Sequence, residues 1–331
     1  MTRSCGKRTA LSSRFATAGV TASSGYGRKG KGRIDMIFRI SLGCLLSVAL
    51  LFGECGIASA ASTQVRFPSL DDNGAGQPTT MLDGLLFLPP GDARHPAVIF
   101  LHGCSGLGSA GAISPREMEW ATIINSLGST VLMVNSFAPR GIVNTCSMRV
   151  TDPARWFDLM EKRKRDALGA LRYLQSQPYV QSDKVAVIGW SQGGGVVLMV
   201  LNTDSARLLA EAPPAPFRAG VAFYPVLCSE KEQPGDWRSS VPLLLLQGWN
   251  DTWTRAPPCK SFVDGAVARG AKIEMQIYPD AYHDFDAPGE PLHTLNVYSP
   301  EGTSPYVGTD PAARKDAFAR VPAFLARYLL Q

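Results

Sequence analysis

With 331 residues and 45% apolar side chains, the chain can bury a substantial core in one large α/β domain or two small ones, which excludes disorder as the default. The formal charge of +5 belongs to the N-terminal leader: residues 1–60 hold nine Lys/Arg against Asp35 and Glu54, so the remainder is net acidic by about two charges. A nucleic-acid partner is therefore not indicated.

The leader has the parts of an export signal. Met36-Ile-Phe-Arg39 is a short positive n-region, Ile40–Phe52 an apolar h-region and Ala58-Ser59-Ala60 a small-residue cleavage site. Translation is expected to start at Met36, because residues 1–35 are Ser/Gly/Arg-rich and lack apolar periodicity. The apolar run is short for a membrane span. The expectation is a periplasmic or secreted mature domain, 61–331, with no stable membrane insertion; an uncleaved anchor is the alternative. Cys44 and Cys55 do not mark a lipoprotein, since Glu54 before Cys55 is a poor fit to a lipidation site.

Past the polar loop Asp71–Pro78, short apolar runs alternate with amphipathic stretches. The runs Leu85–Leu88, Ala97–Leu101, Thr130–Asn135, Lys184–Ile188, Gly220–Tyr224, Leu243–Gln247 and Lys272–Tyr278 read as strands. Helices are expected at Arg116–Leu127, Leu159–Gln177, Gly194–Asn202, Cys259–Ala268 and Pro311–Leu330. Several strands are nearly continuous Val/Ile/Leu, as in sheets covered on both faces. The fold class is α/β: a mostly parallel central sheet with helices on both faces, in one domain. Ala212–Pro216 is a Pro-rich connection, and no repeat or interdomain linker is evident.

The candidate nucleophile is Ser191 in Gly189-Trp190-Ser191-Gln192-Gly193, which follows a strand and precedes an apolar helix. A bare G-x-S-x-G recurs by chance; the strand, sharp turn and helix around it give it weight as a nucleophile elbow. The strand Ala97–Leu101 runs into His102-Gly103-Cys104-Ser105-Gly106, whose glycines allow backbone N–H groups to face inward. The N–H groups of Cys104 and Gln192 are the expected oxyanion hole. His102 precedes the nucleophile and is expected to buttress this loop, while His95 is a polar turn residue.

In the chain order serine, acid, histidine, only His283 and His293 can supply the base. His283 follows the last strand, whereas His293 lies deeper in an irregular loop and is expected to be solvent-exposed. Asp251, just beyond the buried strand Leu243–Gln247, is placed to orient an imidazole. Asp280, Asp284 and Asp286 compete by proximity but read as solvated loop polarity. Trp190, Trp249 and Trp253 flank these residues and line an acyl pocket or pack in the core. Arg140 is placed to bind a substrate carboxylate or to brace a loop. No His/Cys cluster has metal-ligand spacing, and the chemistry needs no cofactor.

Phe100-Leu-His-Gly-Cys104, Asn135-Ser-Phe-Ala-Pro-Arg-Gly141, Gly189–Gly194, Gly248–Thr254 and Tyr278–Asp286 together resemble the dienelactone hydrolase family, over roughly residues 80–330. The resemblance implies an α/β-hydrolase fold and hydrolysis of a small carboxylic ester or lactone. Ser191 stands where well-known members carry a cysteine. Gly103 falls where they carry a glutamate that restrains the thiol. A resting hydroxyl needs no such restraint, so the two departures agree.

Four cysteines follow the leader, and an even count in an exported domain allows three pairings. The strand adjacency of the family's sheet implies Cys104 with Cys146 and Cys228 with Cys259. Too little chain lies between Tyr224 and Asp251 for a large lid, which favours small or exposed esters. A serine peptidase or amidase of the same fold is the rival reading, and a noncatalytic binding module on this fold is the more distant one.

Overall fold

The computed structural model describes residues 62–331 apart from 72, 75–76, 110–111, 204–212, 240 and 301. The expected start codon, export signal and cleavage site, and the first residue of the Pro-rich connection, lie outside the described residues.

The chain begins with strands β1 (Ser62–Pro68), β2 (Met81–Phe87) and β3 (His95–Leu101). A small ribbon, β4 (Gly108–Ser109) and β5 (Ala112–Ile113), leads into helix α1 (Pro115–Ser126) and strand β6 (Thr130–Asn135). Next come α2 (Met148–Thr151), α3 (Pro153–Gln175), β7 (Val180–Trp190) and α4 (Gln192–Leu201). The C-terminal part holds β8 (Ala219–Phe223), β9 (Leu243–Gly248), α5 (Ala256–Ala268) and β10 (Ile273–Tyr278). A second ribbon, β11 (His293–Thr294) and β12 (Tyr306–Val307), precedes α6 (Pro311–Leu329).

Eight strands form one sheet in the order β1-β2-β6-β3-β7-β8-β9-β10. β2 runs antiparallel to both its neighbours, and every pair from β6 to β10 is parallel. Alternating side chains of the central strands feed two separate cores. Ile99, Leu132, Val187 and Leu245 pack with Trp156, Leu168, Val197 and Phe262 of α3, α4 and α5. Val98, Phe100, Ile188 and Leu246 pack with Trp120, Ile124, Phe324 and Leu325 of α1 and α6. Burial on both faces is why these strands are continuous apolar runs rather than alternating ones. Among the described residues no helix is long and apolar enough to cross a membrane.

All seven expected strands and five expected helices are present, β6 with the expected ends and the others with shifted ones. α3 begins at Pro153 rather than Leu159, because Asp152 caps it by accepting the Arg155 N–H and Pro153 needs no partner there. β1 was not expected: its outer side chains are exposed and only Phe67 is buried, so it carries almost no apolar signal. Beyond β8, the described residues up to β9 form turns without a helix.

Cys104 is bonded to Cys146 and Cys228 to Cys259, the pairs that the adjacency of β3 with β6 and of β8 with β9 implies. Cys228→Ser with Cys259→Ser is expected to cost about 2–4 kcal/mol by urea unfolding. No change beyond about 0.5 kcal/mol would show that this link constrains nothing.

Candidate active site

The parallel strands end at one edge, and Ser191 stands there between β7 and α4 with φ 51° and ψ −108°. This conformation is strained for a residue with a Cβ, and the surroundings enforce it. A Cβ on Gly189 would lie 2.2 Å from the Gly193 carbonyl oxygen, and one on Gly193 would lie 1.9 Å from that of Leu101. Both glycines are thus required by close backbone approach. Ser191 is then pinned on both sides: its N–H donates to Phe223 O (3.0 Å), and its carbonyl accepts from Val226 N–H (3.1 Å).

Asp251 and His283, 32 residues apart, meet in a buried pair with Nδ1 of the imidazole 2.7 Å from Asp251 Oδ2. The carboxylate is held rigidly: Oδ1 accepts the N–H groups of Trp253 and Thr254 at 2.8 Å each, and Oδ2 accepts the Thr254 hydroxyl at 2.7 Å. Burial works against an imidazolium here, but the charge and hydrogen bond of Asp251 outweigh it and raise His283 above its ordinary value. The imidazole stacks obliquely on Tyr224 and Trp253, with centroids at 4.4 and 5.0 Å. Trp253 also lines the slot that holds Ser191.

That slot is narrow, walled by Cys104, Gln192, Trp156 and Val226, and it shares Arg149 and Trp253 with a neighbouring groove of about 450 Å³ along Pro225–Glu232. Gln192 is the first residue of α4, where N–H groups have no partner within the helix. Among the described residues no protein acceptor engages the N–H of Cys104 or of Gln192. The Cys104 carbonyl is instead turned away, accepting from Thr145 N–H at 2.9 Å. His102 is buried, with Nδ1 2.8 Å from Gly103 O and Nε2 accepting from Ser136 N–H. Burial, then the Arg163 charge, holds it well below its ordinary value, a neutral brace for the loop.

The dienelactone hydrolase family model matches residues 82–329, which is the sheet from β2 to the end of α6. The chain belongs to the dienelactone hydrolase family. Among solved structures, the dienelactone hydrolase-like promiscuous phosphotriesterase P91 from metagenomic libraries is 20% identical, with a TM-score of 0.59 over 81% of this chain and 99% of that one. Thermogutta terrifontis esterase 2 is 15% identical, with a TM-score of 0.54 over 83% and 97%. These likenesses show the α/β-hydrolase fold. Inactive dipeptidyl peptidase 10 of Mus musculus is 27% identical over 140 residues, 37% of this chain and 17% of that protein. The chain thus spans under a fifth of that curated relative.

Within this dienelactone hydrolase family site, two residues expected at the substrate lie elsewhere. Trp190 is fully buried, stacked on Phe223 at 5.5 Å, with its indole N–H donated to Asp286 Oδ2 at 2.8 Å. The strand's pleat turns it into the core under α1 and α6, opposite the slot. Arg140 is spent on structure: its guanidinium contacts both carboxylate oxygens of Asp166 at 2.8 Å and Asp71 Oδ2 at 2.7 Å, and donates to Ser136 O. Trp253 does line the slot, whereas Trp249 is exposed on a separate surface groove. His293 is exposed near Glu290.

The reading of Asp284 and Asp286 as solvated polarity is corrected. Asp286 is completely buried and accepts hydrogen bonds from Trp120 Nε1 and Trp190 Nε1 at 2.8 Å and from the Tyr224 hydroxyl at 2.6 Å. Burial raises its carboxyl above the ordinary value despite those donors. Asp284, at φ 59°, pairs with Arg116, which also donates to Tyr224. This cluster lies behind His283 and ties its loop to α1, β7 and β8. Sequence spacing carries no sign of it, because the donors are 62 to 168 positions away. Asp286→Ala leaves three buried donors unpaired and is expected to cost about 3–5 kcal/mol. Urea unfolding checks this, and a loss under about 1 kcal/mol would mean the cluster does not hold the loop.

Proposed function

We propose that the chain is a serine hydrolase that cleaves a small carboxylic ester or lactone through an acyl-enzyme. Supporting this reading are the buried Asp251–His283 hydrogen bond, the packing of that imidazole on Trp253, which lines the slot of a serine held at positive φ, and two N–H groups there that no acceptor among the described residues engages. Asp251 fixes Nδ1 of His283 as the protonated nitrogen, which leaves Nε2 to take a proton from Ser191.

The Ser191 oxygen then forms a bond to the ester carbonyl carbon, and its proton passes to His283. Negative charge developing on the carbonyl oxygen is met by the N–H groups of Cys104 and Gln192. Collapse breaks the carbon–alkoxy bond, and His283 returns the proton to the departing alkoxide. Water adds to the acyl-enzyme by the same steps, releasing the carboxylic acid and the free serine. For a lactone the alcohol and acid leave as one molecule.

The narrow slot at Ser191 favours a short acyl group, and the neighbouring groove leaves room for a longer alcohol. The two disulfides support an oxidising, extracytoplasmic location. The test compares p-nitrophenyl acetate, butyrate and octanoate with alanine p-nitroanilide. kcat/KM is expected to be highest for the short esters and at least about 100-fold lower for the anilide. Preference for the anilide would replace this reading with that of a peptidase or amidase, which uses the same catalytic parts.

A further inference from the structure

Arg163 of α3 is 1% exposed, yet none of the ion pairs among the described residues includes it. Asp166, the acid nearest along its helix, is occupied by Arg140. Burying a guanidinium without a carboxylate is costly, and such a charge persists where its field or its hydrogen bonds serve something. The hydrogen bonds of Arg163 go to the two segments that flank the serine. Nη1 donates to Gln192 Oε1 at 3.1 Å, and Nη2 donates to the His102 carbonyl oxygen. Nε has no partner, and the guanidinium lies over Phe137, 5.1 Å from the ring centroid.

Thr145 completes the arrangement. Its hydroxyl donates to the same Gln192 Oε1 at 3.0 Å, and its N–H holds the Cys104 carbonyl. The oxyanion loop and the first residue of α4 come from strands β3 and β7, and these two side chains clamp them together from behind. We infer that Arg163 is a positioning residue for the oxyanion hole: its fork sets the spacing of the Cys104 and Gln192 N–H groups, and its unneutralised charge favours the anionic tetrahedral intermediate. A fixed positive charge behind the donors acts on developing negative charge without reorganising. Burial, partly offset by the Asp166 charge, pulls the guanidinium down to about 9, so the cation is retained at neutral pH.

The inference rests on Ser191 being the nucleophile, and its test separates the two claims. Wild type, Arg163→Met and Arg163→Lys are compared for kcat and KM on p-nitrophenyl acetate, for inhibition by a short alkyl boronic acid that forms a tetrahedral adduct on serine, and for circular dichroism. Arg163→Met is expected to lower kcat by about 10²-fold with KM within threefold, and to weaken the boronate by a similar factor. Arg163→Lys, which keeps the charge but not the fork, is expected to recover about tenfold of that loss. A folded Met variant with kcat within threefold of wild type, or with a loss confined to KM and an unchanged boronate constant, overturns the inference. Should the Met variant not fold, the lysine variant decides: kcat and boronate affinity equal to wild type overturn it, and a parallel loss of both supports it. Failure of the Ser191 reading looks different, since wild type itself would then be insensitive to the boronate.

Discussion

Ser191→Ala is expected to lower kcat for p-nitrophenyl acetate by at least about 10⁴-fold while the unfolding transition stays near that of wild type. The elbow that presents this hydroxyl is built from the backbone. Gly189, Gly193 and the hydrogen bonds of the Ser191 N–H and carbonyl set its shape, and none involves the serine side chain. Removing one oxygen therefore deletes the proposed attacking atom and leaves the turn in place. Residual catalysis would come from the oxyanion donors and binding alone. The measurement is steady-state hydrolysis beside a urea unfolding curve. A folded variant with more than about a tenth of the wild-type rate contradicts the assignment.

Asp251→Asn is expected to lower kcat by about 10⁴-fold and to move the acid limb of the pH profile. In the proposed mechanism His283 takes up a proton only as neutral imidazole. Because Asp251 raises His283 above its ordinary 6.5, the wild-type kcat/KM is expected to fall on the acid side through a value above 6.5. With the carboxylate neutralised, burial is the largest remaining influence on the imidazole, the lesser charges of Asp284 and Arg116 oppose each other, and the titration moves down. The residual activity of the variant should then persist to lower pH than that of wild type. An unchanged limb would mean that some group other than His283 governs it. The asparagine also presents an N–H₂ to an imidazole edge that expects an acceptor, which favours the wrong tautomer and accounts for most of the loss in rate.

Much of this site was legible in the sequence because its parts obey local rules. A strand that ends in Gly-x-Ser-x-Gly has few backbone solutions, and Asp251 and His283 each follow a strand whose apolar run marks where the sheet stops. The sheet was legible for the same reason, since strands buried on both faces announce themselves. What escaped was the set of contacts that depends on which side of a pleat a residue faces. Trp190 is next to Ser191 in sequence, but alternation turns it into the opposite core. Arg140, Asp166 and Asp71 meet only after folding, as do Arg163 and Gln192, and no spacing rule couples residues on separate elements. Asp286 was misjudged because a loop aspartate normally reaches water. Here, three aromatic donors from α1, β7 and the end of β8 enclose it.

The central claim is that residue 191 supplies the atom that becomes acylated. Exposure of the full chain to a fluorophosphonate, followed by peptide mass spectrometry, tests it directly. The account predicts one stoichiometric adduct on the peptide carrying Ser191, strongly slowed in His283→Ala. An unmodified Ser191 in a preparation that still hydrolyses p-nitrophenyl acetate, or an adduct on another residue, would contradict it.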